Sequence, residues 1–378
     1  MNFETYPFEK LNHLLQNISP NDKYAPLSLT IGEPQFNTPY FILEEFKNKA
    51  TMLNKYPKSS GEEKLISSML EYVKKRFDIP LRATQILSTF GTREVLFNFP
   101  QYLLHENEHP LIAYTNPFYQ IYEGAAKAVN AHVIHLDLTR ANDFKPDVNH
   151  EELWDCDLVI LNFPNNPTAS TLTIEELKKW VKLALKHDFV LLNDECYIDL
   201  YTDKPIPSLL NASMEVGNVN FKNILVINSI SKRSSAPGLR SGFIAGDEEI
   251  LKGYGQYRTY VGCASPLPLQ YAAATAWSDD IHVDGFRDNY RKNFKIAQEV
   301  LGVEMPTSTF YVWLEVDDEL RFTQELYEGY NIKVLPGSFL GRNGMGKGYV
   351  RLALVYEESL MREALQRIKK YIDRKENR

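Results

Sequence analysis

The chain has 378 residues, 44% of them hydrophobic and 24% charged; this is the balance of a soluble globular protein with more surface to bury than one ordinary core takes, so two domains are expected. Lysine and arginine number 42 against 49 aspartates and glutamates, a net charge of -7 with no basic block, which argues against a nucleic-acid partner. No apolar run approaches a membrane span, and the Met1-Asn2-Phe3-Glu4 start lacks a basic region followed by an apolar one, so no membrane and no secretory signal are expected, and a cytoplasmic location is.

The first thirty residues, with Pro7, Pro20 and Pro26, read as a short helix and an extended arm. A strand-like run over 27–31 ends at Gly32-Glu33-Pro34, where a glycine serves either a turn or a close backbone approach. A bend-rich loop from Tyr56 to Gly61 precedes an amphipathic helix through Leu65, Met69, Tyr72 and Val73. From about residue 86, short apolar runs alternate with helical patterns, and 111–114, 133–136, 158–161, 190–192, 224–227 and 243–245 are the predicted strands. The clearest helix begins at a capping box, Thr173 with Glu176, and carries Leu177, Trp180, Val181, Ala184 and Leu185 in one stripe. Such alternation predicts an α/β fold, a mainly parallel sheet covered by helices, with ligands at the carboxyl ends of its strands.

Beyond 265 the pattern changes to strands over 310–316, 330–335 and 349–355 and a closing helix with Met361, Ala364, Leu365, Ile368 and Ile372 on one face. The expected division is an arm with part of a small domain (1–45), a large domain (46–265) and a small α+β domain (266–378). The Gly341-Arg342-Asn343-Gly344-Met345-Gly346-Lys347-Gly348 loop nearly matches a phosphate-binding loop, but glycine stands where Ser or Thr must bind magnesium and a strand follows instead of a helix, so it is rejected as a nucleotide site. Asp317-Asp318-Glu319 reads as a solvated charge run. Cys156, Cys196 and Cys263 suit neither a metal knuckle nor a disulfide framework, the eight histidines form no ligand pair, and no metal site is predicted.

Unusual residues gather at the predicted strand ends: Gly91-Thr92-Arg93 at a helix start, Asn116-Pro117-Phe118-Tyr119, Asn165-Asn166-Pro167-Thr168, Asn193-Asp194-Glu195-Cys196-Tyr197, and Ser229-Ile230-Ser231-Lys232 followed by Pro237-Gly238-Leu239-Arg240. Singly, each suits a turn or a cap; together they suit a cofactor. Lys232 is placed to form an imine with an aldehyde cofactor, which then needs an acid against its ring nitrogen (Asp194) and an aromatic ring on its face (Tyr119). Tyr197 and Asn166 would bond the ring oxygen, and Gly91, Thr92, Ser229 and Arg240 would surround a phosphate.

These motifs, in this order and over nearly the whole chain, resemble the fold-type-I pyridoxal-phosphate aminotransferases of class I/II. The resemblance implies pyridoxal 5'-phosphate as cofactor and a homodimer with two active sites at the subunit interface. It implies Lys232 as the imine-forming, proton-shuttling base, with Asp194 and Tyr197 as its catalytic companions and Asn166, Tyr119 and Arg240 in the roles above. Arg93 and Ser231, beside Thr92 and Lys232, complete the cofactor set. Gly32 looks like the backbone contact to the substrate α-carboxylate, Arg351 like the arginine that grips it alongside Asn166, and Tyr56 like the tyrosine that reaches the phosphate from the partner subunit. Ala169 replaces the usual glycine after Asn-Pro-Thr, leaving Asn166 in place.

Within the family, the stretches around Tyr119, Lys232 and Arg240 are most similar to the N-succinyldiaminopimelate aminotransferases. That similarity implies exchange of an amino group between glutamate and N-succinyl-2-amino-6-oxopimelate in lysine biosynthesis. Each has a second carboxylate, for which Lys58, Arg93, Arg233 and Arg258 are the candidate cations. The alternatives are a broader aspartate or aromatic aminotransferase, a C–S β-lyase, and a non-catalytic pyridoxal-phosphate-binding regulator.

Overall fold

Uninterrupted runs of Leu, Ile and Val make strands buried on both faces, as a helix-covered sheet requires. In the computed structural model, which describes residues 3–376, they form one seven-stranded sheet. Met1 and Asn2, part of the start read for a signal, lie outside the described residues. After a two-residue strand β1 (Leu27–Ser28), the sheet takes β2 (Ile86–Thr89), β3 (Leu111–Asn116), β4 (His132–Asp137), β5 (Leu158–Leu161), β6 (Val190–Asp194), β7 (Ile224–Ser229) and β8 (Gly242–Gly246). Their spatial order is β2-β8-β7-β6-β5-β3-β4, with β3 to β7 mutually parallel and β8 antiparallel to both its neighbours.

The mainly parallel sheet of the sequence reading is therefore present, with two additions. Strand β2 is a seventh member that no apolar run marks, because Ser88 and Thr89 fill half of it. Strand β8 is reversed because the stretch joining it to β7 holds only a helical turn (Ile230–Arg233) and a 3-10 turn (Pro237–Leu239), too little to carry the chain back across the sheet. Register pairs Ser229 with Gly242. The start of β8 thus lies beside the end of β7, and Arg240 arrives at the same edge as Ser229 and Lys232.

The strands β9 (Tyr311–Glu315), β11 (Leu335–Pro336) and β12 (Tyr349–Ala353) form a smaller antiparallel sheet, β11-β12-β9, while β10 (Ile332–Lys333) pairs in parallel with β1. The single strand expected over 330–335 is thus two, divided at Val334 between different sheets, and the N-terminal arm is tied to the C-terminal part. The closing helix Glu358–Glu376 buries Met361, Ala364, Leu365 and Ile368 at 0% exposure, the spacing of one helical face, against Val312, Leu326 and Leu352. The helix Leu267–Trp277 packs otherwise. Its Ala272, Ala273, Ala276 and Trp277 join the core of the seven-stranded sheet with Ile42, so allegiance changes after 277, not at 265, within the long helix Ile281–Leu301.

Thr173 and Glu176 form the expected capping box, with Glu176 Oε2 accepting from Thr173 N at 2.7 Å. The acidic run at 317–319 is less solvated than expected: Asp318 caps the helix Glu319–Tyr330, and Glu319 is buried and accepts from Gly348 N at 2.9 Å. The glycine-rich loop folds on itself, and a Cβ on Gly346 would lie 2.2 Å from Gly337 O, so close backbone approach accounts for the glycine there. Among the described residues no helix is long and apolar enough to cross a membrane, and no group of three His, Cys, Asp or Glu side chains is arranged to hold a metal.

Candidate active site

A cavity of about 1010 Å³ opens at the carboxyl edge of the seven-stranded sheet, where the arm (Ile31, Gly32, Glu33) and the smaller sheet (Leu335, Arg351) close over it. At its floor, β6 ends on Asp194. The carboxylate is buried, with Oδ1 accepting from Cys196 N at 3.2 Å and Oδ2 from the Tyr122 hydroxyl at 3.1 Å, while Asn162 Nδ2 holds the Asp194 carbonyl at 3.0 Å. Burial raises its pKa, and these bonds and the charge of Lys232 oppose the rise. No ion pair compensates Asp194 among the described residues, so a cationic group in the cavity would be its natural partner.

Lys232 sits on the helical turn after β7, and its amine donates to Gly32 O. Burial, acting against the ammonium form, lowers its pKa to about 8. The free, nucleophilic amine is thereby a far larger share of Lys232 near neutral pH than of a solvated lysine.

One side of the cavity is an anion seat. Gly91 (φ 74°) caps the helix Thr92–Leu103, whose first amides have no helical partner, and a Cβ on Gly91 would lie 2.2 Å from Arg240 Nη2. Arg240 itself is held by Pro237 O (2.7 Å) and Phe90 O (3.2 Å). Burial is the first cause of its lowered pKa and the charge of Arg93 the second. The Ser229 hydroxyl accepts from Ser231 N at 3.1 Å, with the Ser231 hydroxyl 2.9 Å away. Tyr119 packs edge-on to Tyr122, and its hydroxyl accepts from Arg93 Nε at 2.8 Å. Arg240, which no carboxylate neutralises among the described residues, the free amides and two hydroxyls suit a phosphate dianion, while Arg93, also without a carboxylate partner among them, is held by Tyr119.

The opposite side carries Arg351 on β12. Its Nη1 donates to Asn166 Oδ1 at 2.7 Å and its Nη2 to Thr30 O at 2.5 Å, and the guanidinium lies 4.5 Å from the Tyr311 ring centroid. Its Nε is buried without a partner, on an arginine that lines the cavity and that no carboxylate pairs among the described residues. Asn166 N is fixed by Asn162 Oδ1 at 2.9 Å, and the Tyr197 hydroxyl is 3.0 Å from that of Tyr311.

The structure therefore brings Gly32, Thr92, Arg93, Tyr119, Asn166, Asp194, Tyr197, Ser229, Ser231, Lys232, Arg240 and Arg351 onto one cavity, with Gly91 directly behind its wall. It leaves Tyr56 out: this residue is fully exposed and touches no part of the cavity of its own chain. Of the four candidate cations for a second carboxylate, only Arg93 lines the cavity. Arg233 is buried in ion pairs with Asp199 (2.7 Å) and Asp280 (2.8 Å), Arg258 is buried against Glu94, and Lys58 borders a shallow cleft with Glu62 and Glu63. Sequence reasoning did not single out Tyr122, Asn162, Tyr311 or Tyr6, the last a cavity-lining residue hydrogen-bonded to Tyr119, as site residues. The polar residue closing β5's apolar run was a usable signal for Asn162; the three tyrosines are defined only by tertiary contact.

The model of the family "Aminotransferase class I and II" matches residues 25–368. The chain is 28% identical to the LL-diaminopimelate aminotransferase of Maridesulfovibrio salexigens over 91% of each chain. Among solved structures, it superposes on the aminotransferase AspB of Helicobacter pylori with a TM-score of 0.96 at 51% identity, covering 99% of this chain and 100% of that one. For an aminotransferase of Neisseria meningitidis the TM-score is 0.92 at 37% identity, with 98% of both chains covered.

Proposed function

The chain belongs to the class I and II aminotransferase family, with pyridoxal 5'-phosphate as cofactor, and we propose that it exchanges an amino group between glutamate and N-succinyl-2-amino-6-oxopimelate. The observation that carries the amino-transfer chemistry is the meeting, on one cavity, of a buried amine with a lowered pKa, a buried carboxylate without an ion pair and an arginine with a buried, partnerless Nε. The residues fit the cofactor: Arg240, the amides after Gly91 and the Ser229 and Ser231 hydroxyls are donors for a phosphate, and the buried Asp194 carboxylate, without an ion pair among the described residues, would be neutralised by a protonated ring nitrogen.

Bound pyridoxal phosphate supplies an electron sink that weakens the C–H bond beside the substrate nitrogen. Lys232 would hold the cofactor through its aldehyde group, and its Nζ would carry the proton to and from the substrate Cα. Asp194 holds the proton on the ring nitrogen. Tyr119 would cover one ring face, Tyr197 and Asn166 would bond the ring oxygen, and Gly91, Thr92, Ser229, Ser231 and Arg240 would hold the phosphate. Arg351, with Asn166 and the Gly32 backbone, grips the α-carboxylate. Arg93, tied to a tyrosine instead of an acid, is the cation left for the second carboxylate. Tyr56 serves the phosphate of the partner's site in a cytoplasmic homodimer, a role that its full exposure in one chain supports. For the domains, the reading remains an arm with part of the small domain (1–45), a large domain from 46 and a small domain to 378, and the packing of the helix Leu267–Trp277 supports an end of the large domain near 277 instead of 265.

The size of the cavity supports an acceptor longer than oxaloacetate, and the diaminopimelate relatives support the pathway. The similarity to a protein called AspB favours a second reading, an aspartate aminotransferase. A panel of keto acids with glutamate as donor decides between them: the succinylated acceptor should give the highest kcat/KM, and a strong preference for oxaloacetate would establish the second reading instead. Pyruvate released from cystathionine would point to β-elimination.

A further inference from the structure

The glycine-rich loop that imitates a phosphate-binding sequence does not line the cavity, yet its Arg342 bonds to Asn116 at the end of β3 and to Glu123 on the helix that follows it. Its Nε donates to Glu123 Oε1 at 2.8 Å and its Nη2 to Glu123 Oε2 at 2.6 Å, a two-pronged ion pair in which both side chains are mostly buried. Its backbone makes a second pair: Arg342 N donates to Asn116 Oδ1 at 2.9 Å, and Asn116 Nδ2 donates to Arg342 O at 3.1 Å. A third bond, Phe118 N to Leu340 O at 2.9 Å, lies between them. The guanidinium covers the Phe118 ring at 5.3 Å, and the far face of that ring stacks on His135.

Everything that this clasp grips lies one step from the site. Phe118 and Leu340 line the cavity, Tyr119 follows Phe118, and Arg351 stands on β12, which pairs with β11 just before the loop. Arg342 itself does not line that cavity.

We propose that Arg342 is a positioning residue for the reaction: by clasping Glu123 and Asn116 it sets the distance between the wall bearing Tyr119 and the wall bearing Arg351. This rests on the aminotransferase reading. A ligand that needs both walls binds only the fraction of molecules in which they are in register, so loosening the clasp raises every apparent dissociation constant by one common factor. Loss of a buried charge-assisted pair corresponds to a factor of roughly ten to a hundred.

The test uses the holoenzyme with Arg342→Ala, Arg342→Lys, Glu123→Gln and the charge-swapped Glu123→Arg/Arg342→Glu double variant. Wild-type turnover of glutamate is established first, and its absence would bear on the aminotransferase reading alone. In Arg342→Ala the Kd for glutarate, read by calorimetry, should rise at least tenfold. The KM values for glutamate and for norvaline, which lacks the second carboxylate, should rise by equal factors, with pyridoxal phosphate affinity unchanged. Arg342→Lys and Glu123→Gln should give smaller rises of the same pattern, and the swap should recover part of the loss. The proposal is overturned if folded Arg342→Ala and Glu123→Gln proteins bind glutarate like the wild type. It is overturned equally if only the glutamate KM rises, since Arg342 would then act as a plain cation for the second carboxylate.

Discussion

The wall that the large sheet gives to the cavity and the wall that the small sheet gives hold their charges by different means. On the first, Ser229, Ser231, Lys232 and Arg240 come from one short connection whose ends are pinned by the Ser229–Gly242 register, and Gly91 leans directly on Arg240. On the second, Arg351 is oriented by Asn166, which follows β5 of the other sheet, and by Thr30 O from the arm. One wall carries its geometry within itself; the other acquires it by docking. A cofactor that stays bound suits the first arrangement, and substrates that enter and leave suit the second.

Four measurements would break or sharpen this contrast. Lys232→Ala should have the largest effect, abolishing turnover while the phosphate seat still retains cofactor by equilibrium dialysis; ordinary turnover in that variant would remove the central assignment. Arg351→Ala should lower kcat/KM for glutamate roughly a hundredfold, chiefly through KM, because a buried charge-assisted fork is lost at about 3 kcal/mol. Its cofactor affinity should not change, and a parallel loss of cofactor would mean that the two walls are not separable. Gly91→Ala should do the reverse, weakening cofactor binding about tenfold through a strained positive φ and the Arg240 contact, with the glutamate KM little altered once cofactor is saturating. The smallest effect concerns pH. Lys232 carries its proton below about pH 8 and loses it above, so cofactor uptake by the apoenzyme should climb with pH and level off past 8. A rise continuing toward the ordinary value of 10.5 would show the amine to be solvated. Between those two values the unfolded chain binds a proton that the folded chain has released, so apoenzyme stability should also increase with pH across that window.

The self-contained wall was also the legible one. Asp194, Asn166, Ser229 and Lys232 end apolar runs or follow them closely, and a strand that stops on such residues announces a site. Arg351 gives no such signal, because an arginine inside Tyr349–Ala353 reads as an exposed edge residue until Tyr311 and Thr30 are seen around it; only resemblance to a family singled it out. Arg233 and Arg258 show the same limit from the other side. Nothing in their surroundings along the chain reveals Asp199, Asp280 or Glu94, so each remained eligible for a substrate that it cannot reach. The break at Val334 was hidden for a related reason: no glycine or proline interrupts Ile332-Lys333-Val334-Leu335, and only its two sets of partners divide it.

The reversal of β8 has a consequence for how the protein comes to exist. Because β7 and β8 are neighbours joined by a short connection, Ser229, Lys232 and Arg240 are brought together by contacts local in sequence, whose loop-closure entropy is small. Asp194 joins through the adjacent β6–β7 pairing, whereas Arg351 must wait for a strand far downstream. On the proposed roles, a nascent chain of this topology is expected to gather the groups for its cofactor before Arg351, so cofactor supplied during synthesis should raise the share of chain that completes folding.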